Sequence, residues 1–367
     1  MIPVNEPLLD GNELKYLTEC IKSGWISAEG PFVQRFEQAF AQRVGRRFGV
    51  AVCNGSLALQ AAVTALEIGP GDEVILPTFT IISCAAAVVR AGAIPVVVDC
   101  DSLTWNMNPA LVQEALRDRT KAILVAHTYG LPVDMDPILE IARRNQLLVI
   151  EDAAEVHGQT YKGRPCVSFG DVSIFSFYAN KHVTTGEGGM ILTDSERIAE
   201  RCRALRNLCF QPERRFVHED LGWNFRMTSL QAAVGLAQLE RLDEATARKR
   251  HMGLRYTELL TNLEAVQLPL AKTDYAENVY WVYGVVLQDH LVSSEVVKEL
   301  VARGVATRPF FWPMHEQPVF RKMGFFEGVR CPVAERIGRQ GFYLPSGLAL
   351  TDQDITQVAE AMSEVLA

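Results

Sequence analysis

The sequence predicts an α/β protein: a large domain on a mostly parallel sheet with helices on both faces, and a smaller C-terminal α/β domain. Three observations predict it. Seven short Val/Ile-rich runs recur between residues 49 and 193, and continuous apolar runs of this kind mark strands buried on both faces. Helical stretches with start signals separate the early runs, which is the order of a parallel sheet. The last two runs lie too close together for a crossover helix, so at least one strand returns directly on its neighbour.

Taken in order, the chain opens with an arm that carries a short helix over Asn12–Ile21, ending at Ser23-Gly24, then a loop from Trp25 to Pro31. Val33–Val44 is an amphipathic helix with Phe36 and Phe40 one turn apart. The seven strands are expected at Gly49–Val52, Glu73–Leu76, Ile94–Asp99, Lys121–Ala126, Leu147–Asp152, Val172–Tyr178 and Gly189–Thr193. Ser56, Asn108-Pro109 and Asp136-Pro137 open helices over Leu57–Leu66, Ala110–Leu116 and Ile138–Arg144. Thr228-Ser-Leu-Gln231 is a capping box before one long helix, from Ser229 to about Leu260, that bridges two lobes. A strand over Tyr280–Leu287, a helix over Ser294–Ala302 closed by Gly304, and a terminal helix over Asp352–Val365 form the smaller lobe. The expected division is 1–240, arm and large domain, against 241–367.

Composition narrows the function. Hydrophobic residues make up 48% and charged ones 22%, with mean hydropathy +0.05, as in a soluble globular protein. A net charge of −8 and no Lys/Arg cluster argue against a nucleic-acid partner. No apolar run approaches the roughly 20 residues that cross a bilayer, and the N-terminus lacks a secretory pattern. The 8 cysteines are scattered without a CxxC pair, and the 7 histidines show no zinc spacing. The expectation is a cytoplasmic protein with reduced thiols and no metal, membrane or nucleic-acid partner.

The chemistry gathers at strand ends. The strand from Val172 breaks at a lone lysine, Lys181, before a Thr/Gly-rich turn and the next strand. A lysine that loses hydration there can lose its proton and attack a carbonyl, as Schiff-base chemistry requires. Asp152 ends another buried strand, where it can pair with a pyridinium nitrogen. Cys53-Asn-Gly-Ser56 ends a third strand and opens a helix, so free amides and the Ser56 hydroxyl can hold a phosphate, with Ser176 as a second hydroxyl. Phe79, just past a fourth strand, can stack on a flat ring. Each alone also fits a helix cap, a solvated lysine or core packing. Together they are the parts of a pyridoxal 5'-phosphate site.

Longer stretches carry a resemblance. They are Trp25-Ile-Ser with Gly30-Pro31, Asn54-Gly-Ser-Leu-Ala-Leu59, Gly69-Pro-Gly-Asp-Glu-Val74 and Glu151-Asp-Ala-Ala-Glu155. Ser176-Phe-Tyr-Ala-Asn-Lys-His-Val-Thr-Thr-Gly-Glu-Gly-Gly189, Gly222-Trp-Asn-Phe-Arg-Met227 and Arg308-Pro-Phe-Phe-Trp-Pro-Met-His315 complete them. Over nearly its whole length the chain resembles the DegT/DnrJ/EryC1/StrS family of pyridoxal phosphate-dependent sugar aminotransferases. The resemblance implies an aspartate-aminotransferase-like fold (fold type I) and a homodimer with active sites shared at the interface. By motif, Lys181 would be joined to the cofactor aldehyde, Asp152 would hold the ring nitrogen and Phe79 would stack on the ring. Gly55, Ser56 and Ser176 would hold the phosphate, with Asn224 reaching the phosphate in the neighbouring subunit. Glu155 stands where relatives often carry Gln or His near the ring hydroxyl.

The implied reaction moves an amino group from L-glutamate to a nucleotide-linked keto-sugar. Trp25-Ile-Ser, Gly222–Ala233 and Pro313-Met-His315 look most like the perosamine synthase branch, which aminates GDP-4-keto-6-deoxy-D-mannose at the 4-position. Tyr178-Ala179 and Asn207-Leu-Cys-Phe210 depart from that branch, so a dTDP- or UDP-linked 4-keto-6-deoxyhexose stays open. Trp25, Arg308 and His315 are the candidates for substrate contact. Three rivals remain: a dehydratase with histidine in place of the lysine, a cofactor-binding regulator, and a nicotinamide oxidoreductase. The register of Asn180-Lys181 opposes the first, and the absence of G-x-G-x-x-G after the first strand opposes the last.

Overall fold

A computed structural model describes residues 1–211 and 213–366. Seven strands form the main sheet: β1 Phe48–Val52, β2 Glu73–Pro77, β3 Ile94–Val98, β4 Thr120–Ala126, β5 Leu148–Asp152, β6 Val172–Ser176 and β7 Gly189–Thr193. Their spatial order is β1-β7-β6-β5-β4-β2-β3. All neighbours run parallel except β7, which is antiparallel to both β1 and β6. The direct return expected from the short spacing is the β6–β7 pair.

Both faces of this sheet are buried, which is why its strands read as unbroken apolar runs. Along β4, Ile123 and Val125 enter one core while Ala122, Leu124 and Ala126 enter the other. The first core holds Phe36 and Phe40 of the helix Pro31–Arg43, packed on Phe175 and Phe177. The second lies under the helices Gly55–Ala65 and Ser83–Arg90; the latter was not expected from sequence.

A smaller antiparallel sheet is formed by β8 Val266–Gln267, β9 Tyr283–Leu287, β10 Arg308–Pro309 and β11 Gly341–Leu344, in the order β8-β9-β11-β10. Its own core includes Val285, Leu287, Phe342 and Leu344 with Tyr256, Val358 and Met362. An aromatic layer of Phe79, Trp105, Tyr129, Trp281, Phe310 and Tyr343 joins the two sheets.

Two expectations need correction. The single long helix is two, Ser229–Leu239 and Leu242–Leu260. Leu236, Leu239 and Leu242 all enter the first core at intervals of three residues, which suits a tightened turn better than continuous α-helix. Glu240 at the break accepts hydrogen bonds from Asn12 (2.7 Å) and Tyr16 (2.5 Å). The capping box does form: Gln231 N–H donates to Thr228 Oγ1 and Thr228 N–H to Gln231 Oε1. The strand expected from Tyr280 starts at Tyr283, because Tyr280 takes a left-handed φ of 47° and turns the chain. Among the described residues no helix is long and apolar enough to cross a membrane, and all eight cysteines are free.

Candidate active site

A cavity of about 570 Å³ opens at the carboxyl ends of β1, β2, β4, β5 and β6, where ligands collect on open α/β sheets. Lys181, Asp152, Glu155, Gly55, Ser56, Ser176 and Arg308 all line it. Lys181 follows β6 and is 9% exposed; Asp152 ends β5 and is 4% exposed.

At one end of the cavity the helix Gly55–Ala65 presents its N-terminus. Its cap is Asn54, whose Oδ1 accepts from Leu57 N–H at 2.9 Å. Ser56 is thereby released from capping, and its Oγ lies 2.6 Å from Ser83 Oγ. Glycine at 55 is enforced by close approach, since a Cβ there would lie 2.7 Å from Ser176 Cβ. Three hydroxyls and the free amides of a helix start therefore converge, an arrangement suited to a phosphate dianion.

At the other end, Asp152 accepts Ala154 N–H at 3.0 Å and Cys84 S–H at 3.2 Å. Glu155 Oε2 accepts Tyr129 N–H at 2.9 Å, and Glu155 Oε1 lies 3.8 Å from Lys181 Nζ. Burial dominates the charges. It pushes the Asp152 carboxyl upward and Glu155 to about 7, against the opposing pull of Lys181. Burial lowers Lys181 to about 8, although Glu155 and Asp152 favour its charged form. A substantial fraction of this amine is neutral near physiological pH, as a nucleophile requires.

Other expected residues lie elsewhere. Phe79 is fully buried and faces Tyr129, Phe310 and Phe311, with ring centres 5.8–5.9 Å away. Its neighbours Thr80 and Ile81 line the cavity instead, because this aromatic layer draws Phe79 under the strand end. His315 is buried outside the cavity, with Nδ1 2.8 Å from Thr78 Oγ1 and Nε2 3.2 Å from Glu335 Oε1. With Glu316 these groups lie close enough to hold a metal ion, but Arg330 and Arg339 already engage the two carboxylates. Trp25 is half exposed on the N-terminal arm, and Asn224 is exposed; neither lines this chain's cavity.

Ser83, Cys84 and Trp281 were not expected from sequence. A hydroxyl after a strand end and at a helix start is the signal that singled out Ser56, and it applies equally to Ser83. Trp281 lines the cavity from the other sheet's side and carries no local signal.

Fold and cavity together define an α/β aminotransferase of the two-lobed kind. The chain belongs to the DegT/DnrJ/EryC1/StrS aminotransferase family, whose sequence profile matches residues 7–363. It is similar to the GDP-perosamine synthase of Caulobacter vibrioides, with 44% identity covering 100% of this chain and 98% of the relative. It is also similar to the GDP-perosamine synthase of Escherichia coli O157:H7, at 38% identity over 99% and 98% of the two chains. Among solved structures, the aminotransferase TlmJ from Streptoalloteichus hindustanus superposes with a TM-score of 0.93 at 32% identity, covering 100% of this chain and 99% of that one.

Proposed function

We propose that this chain transfers the amino group of L-glutamate to the 4-position of GDP-4-keto-6-deoxy-D-mannose, using pyridoxal 5'-phosphate. The observation that carries the reading is the buried Lys181 amine, its proton loosened by burial, in a cavity with a phosphate cradle at one end and an acid at the other. The names and full-length identities of the two GDP-perosamine synthases support the nucleotide and sugar.

The residues fit the cofactor. The cradle would hold its phosphate through Gly55, Ser56, Ser83 and Ser176, and a side chain at 55 would fill the space that Ser176 occupies. Asp152, as a carboxylate, would accept a hydrogen bond from the protonated ring nitrogen and keep that nitrogen charged. Glu155 faces the lysine and would lie toward the ring hydroxyl, while Ile81 and Ala154 offer apolar surface for the ring faces in place of Phe79. When bound, the cofactor supplies an electron-withdrawing ring and an aldehyde carbon that takes up and gives back the amino group. Lys181, once its amine is free and neutral, removes a proton from the α-carbon of the donor and returns one to the carbon that receives nitrogen. Arg308, on the outer wall, would pair with an anionic part of donor or acceptor.

The active unit we infer is a homodimer, supported by exposed Trp25, Ile26, Phe216 and Leu221 and by Asn224, which is free to reach the cradle of a second copy. We place the domain division at 240/241, where the helix breaks, and the enzyme in the cytoplasm, consistent with its free thiols. The test is to incubate the protein with L-glutamate and a panel of GDP-, dTDP- and UDP-linked 4-keto-6-deoxyhexoses and read product masses. A one-amino-group product from the GDP-linked sugar, lost in Lys181→Ala, is expected. Amination of the dTDP- or UDP-linked sugars alone would overturn the nucleotide; no visible cofactor band would overturn the whole reading.

A further inference from the structure

Consecutive residues at the start of the helix Ser83–Arg90 meet two parts of the site, Ser83 in the cavity wall and Cys84 behind it. Ser83 meets the phosphate cradle at Ser56, and Cys84 meets the acid at the far end, with Sγ 3.2 Å from Asp152 Oδ2. Cys84 and Asp152 are both buried. The sulfur is the donor in this contact: burial, and then the charge of Asp152, hold the thiol well above its usual range, so it keeps its proton.

The surroundings leave Asp152 few other donors. Its Oδ1 accepts from the backbone of Ala154. His127 also faces the acid, but its Nδ1 accepts Val133 N–H at 3.0 Å, which puts the ring proton on Nε2, 3.5 Å from Glu151 Oε2. Among the described residues, Cys84 is therefore the only side chain that donates to Asp152. Thr80 Oγ1, 3.7 Å from the sulfur, completes a short chain from hydroxyl to thiol to carboxylate. A desolvated carboxylate tends to take up a proton, and each donor to it opposes that tendency. A thiol is a weak donor, so it orients Oδ2 while leaving that oxygen able to accept a stronger bond from the cavity side.

We propose that Cys84 is a positioning residue for Asp152, whose S–H···Oδ2 bond fixes the carboxylate's orientation and keeps it ionised toward the cofactor's ring nitrogen. The role at the ring rests on the pyridoxal phosphate reading; the bond itself does not. Cofactor-free protein tests the bond. The infrared difference between wild type and Cys84→Ala isolates the Cys84 S–H stretch. That stretch should lie below the frequency of an unbonded thiol and rise when the same difference is taken in an Asp152→Asn background. Loaded protein tests the role. Cys84→Ala should hold pyridoxal phosphate about fivefold less tightly, with Cys84→Ser losing less. The ¹⁵N resonance of a ring-labelled cofactor should move toward the unprotonated form in Cys84→Ala. An S–H frequency unchanged by Asp152→Asn would overturn the bond. A nitrogen resonance and cofactor affinity unchanged in Cys84→Ala would overturn the role. If wild type binds no cofactor, the function assigned above fails while the infrared result still stands by itself.

Discussion

Lys181 Nζ lies 3.4 Å from the centre of the Trp281 indole ring. The contact spans the two sheets, since Lys181 follows β6 of the first and Trp281 leads into β9 of the second. Trp281 is held through both its ring and its backbone. Its N–H donates to the carbonyl of Asn180 at 2.9 Å, and the Trp281 carbonyl accepts from Lys249 Nζ at 2.9 Å. An aromatic face favours the charged amine, so Trp281 and Glu155 both oppose the burial that strips Lys181 of its proton.

Replacing the ring should therefore move the amine's midpoint. A cation–π contact of roughly 0.5–2 kcal/mol corresponds to about 0.4–1.5 pH units. Trp281→Leu should bring Lys181 below about 8, whereas Trp281→Phe should change it less. The pH dependence of cofactor capture, followed by the rise of visible absorbance in cofactor-free protein, reads this midpoint. A midpoint that moved upward in the leucine variant would mean that the ring acts chiefly by excluding water.

Glu155 offers the same readout with a clearer sign. Its carboxylate stabilises the charged form of Lys181, so Glu155→Gln removes one of the two acids that raise the amine's pKa. Capture needs the neutral amine and accelerates as pH passes upward through the midpoint. The glutamine variant should therefore reach its plateau at lower pH and react faster at pH 7. The amide oxygen can still accept from Tyr129 N–H, so the local backbone keeps its partner.

How much of this was legible in the sequence depended on how local each signal was. Asp152, Lys181, Ser56 and Ser176 end or follow apolar runs, and alternation along a strand with an abrupt break fixes where such residues stand. Which way Phe79 turns past its strand depends on Tyr129, Phe310 and Phe311, distant in the chain, and it turns away from the cavity. His315 likewise stands in a motif that looks functional yet bonds Thr78 and Glu335. Trp281 and Cys84 reach the site only through tertiary packing, so no window around them reports it. The break after Leu239 was hidden because Leu236, Leu239 and Leu242 also satisfy a helical apolar stripe.

Lys249 predicts a pH effect on stability. It is 1% exposed, bonds the carbonyls of Trp281 and Ser346, and is lowered by burial, and then by the charge of Lys181, from about 10.5 to about 7. Between those values the unfolded chain holds a proton at this site that the folded chain lacks, so the contribution to stability rises with pH, by up to about 1.4 kcal/mol per unit. Lys249→Met removes this group's share of the slope and leaves the other titrating groups in place. It also strands two buried carbonyls, at about 1–3 kcal/mol each. Urea unfolding at pH 7.5 and 9.5 should show the stability of wild type relative to the variant rising between the two values, by up to about 1.4 kcal/mol per pH unit; a relative stability that did not change with pH would remove Lys249 as its source.

Gly55→Ala sets two effects against each other. Alanine at the first position of the helix Gly55–Ala65 gains at most about 1 kcal/mol of helix propensity over glycine. Against this, the new Cβ would lie 2.7 Å from Ser176 Cβ and 3.2 Å from Ser176 Oγ, closer than carbon atoms pack. Overpacking a tight site costs about 1–3 kcal/mol, so the overlap outweighs the propensity and Ser176 must move out of the cradle. The loss should fall on the phosphate. Pyridoxal phosphate should bind about tenfold more weakly and inorganic phosphate should compete less well, while the pH midpoint for capture stays that of wild type, because Lys181 and Glu155 are untouched. Equilibrium dialysis with and without phosphate separates the two. A variant that retained cofactor as wild type does would remove Gly55 and Ser176 from the phosphate site and leave Ser56 and Ser83 to hold it.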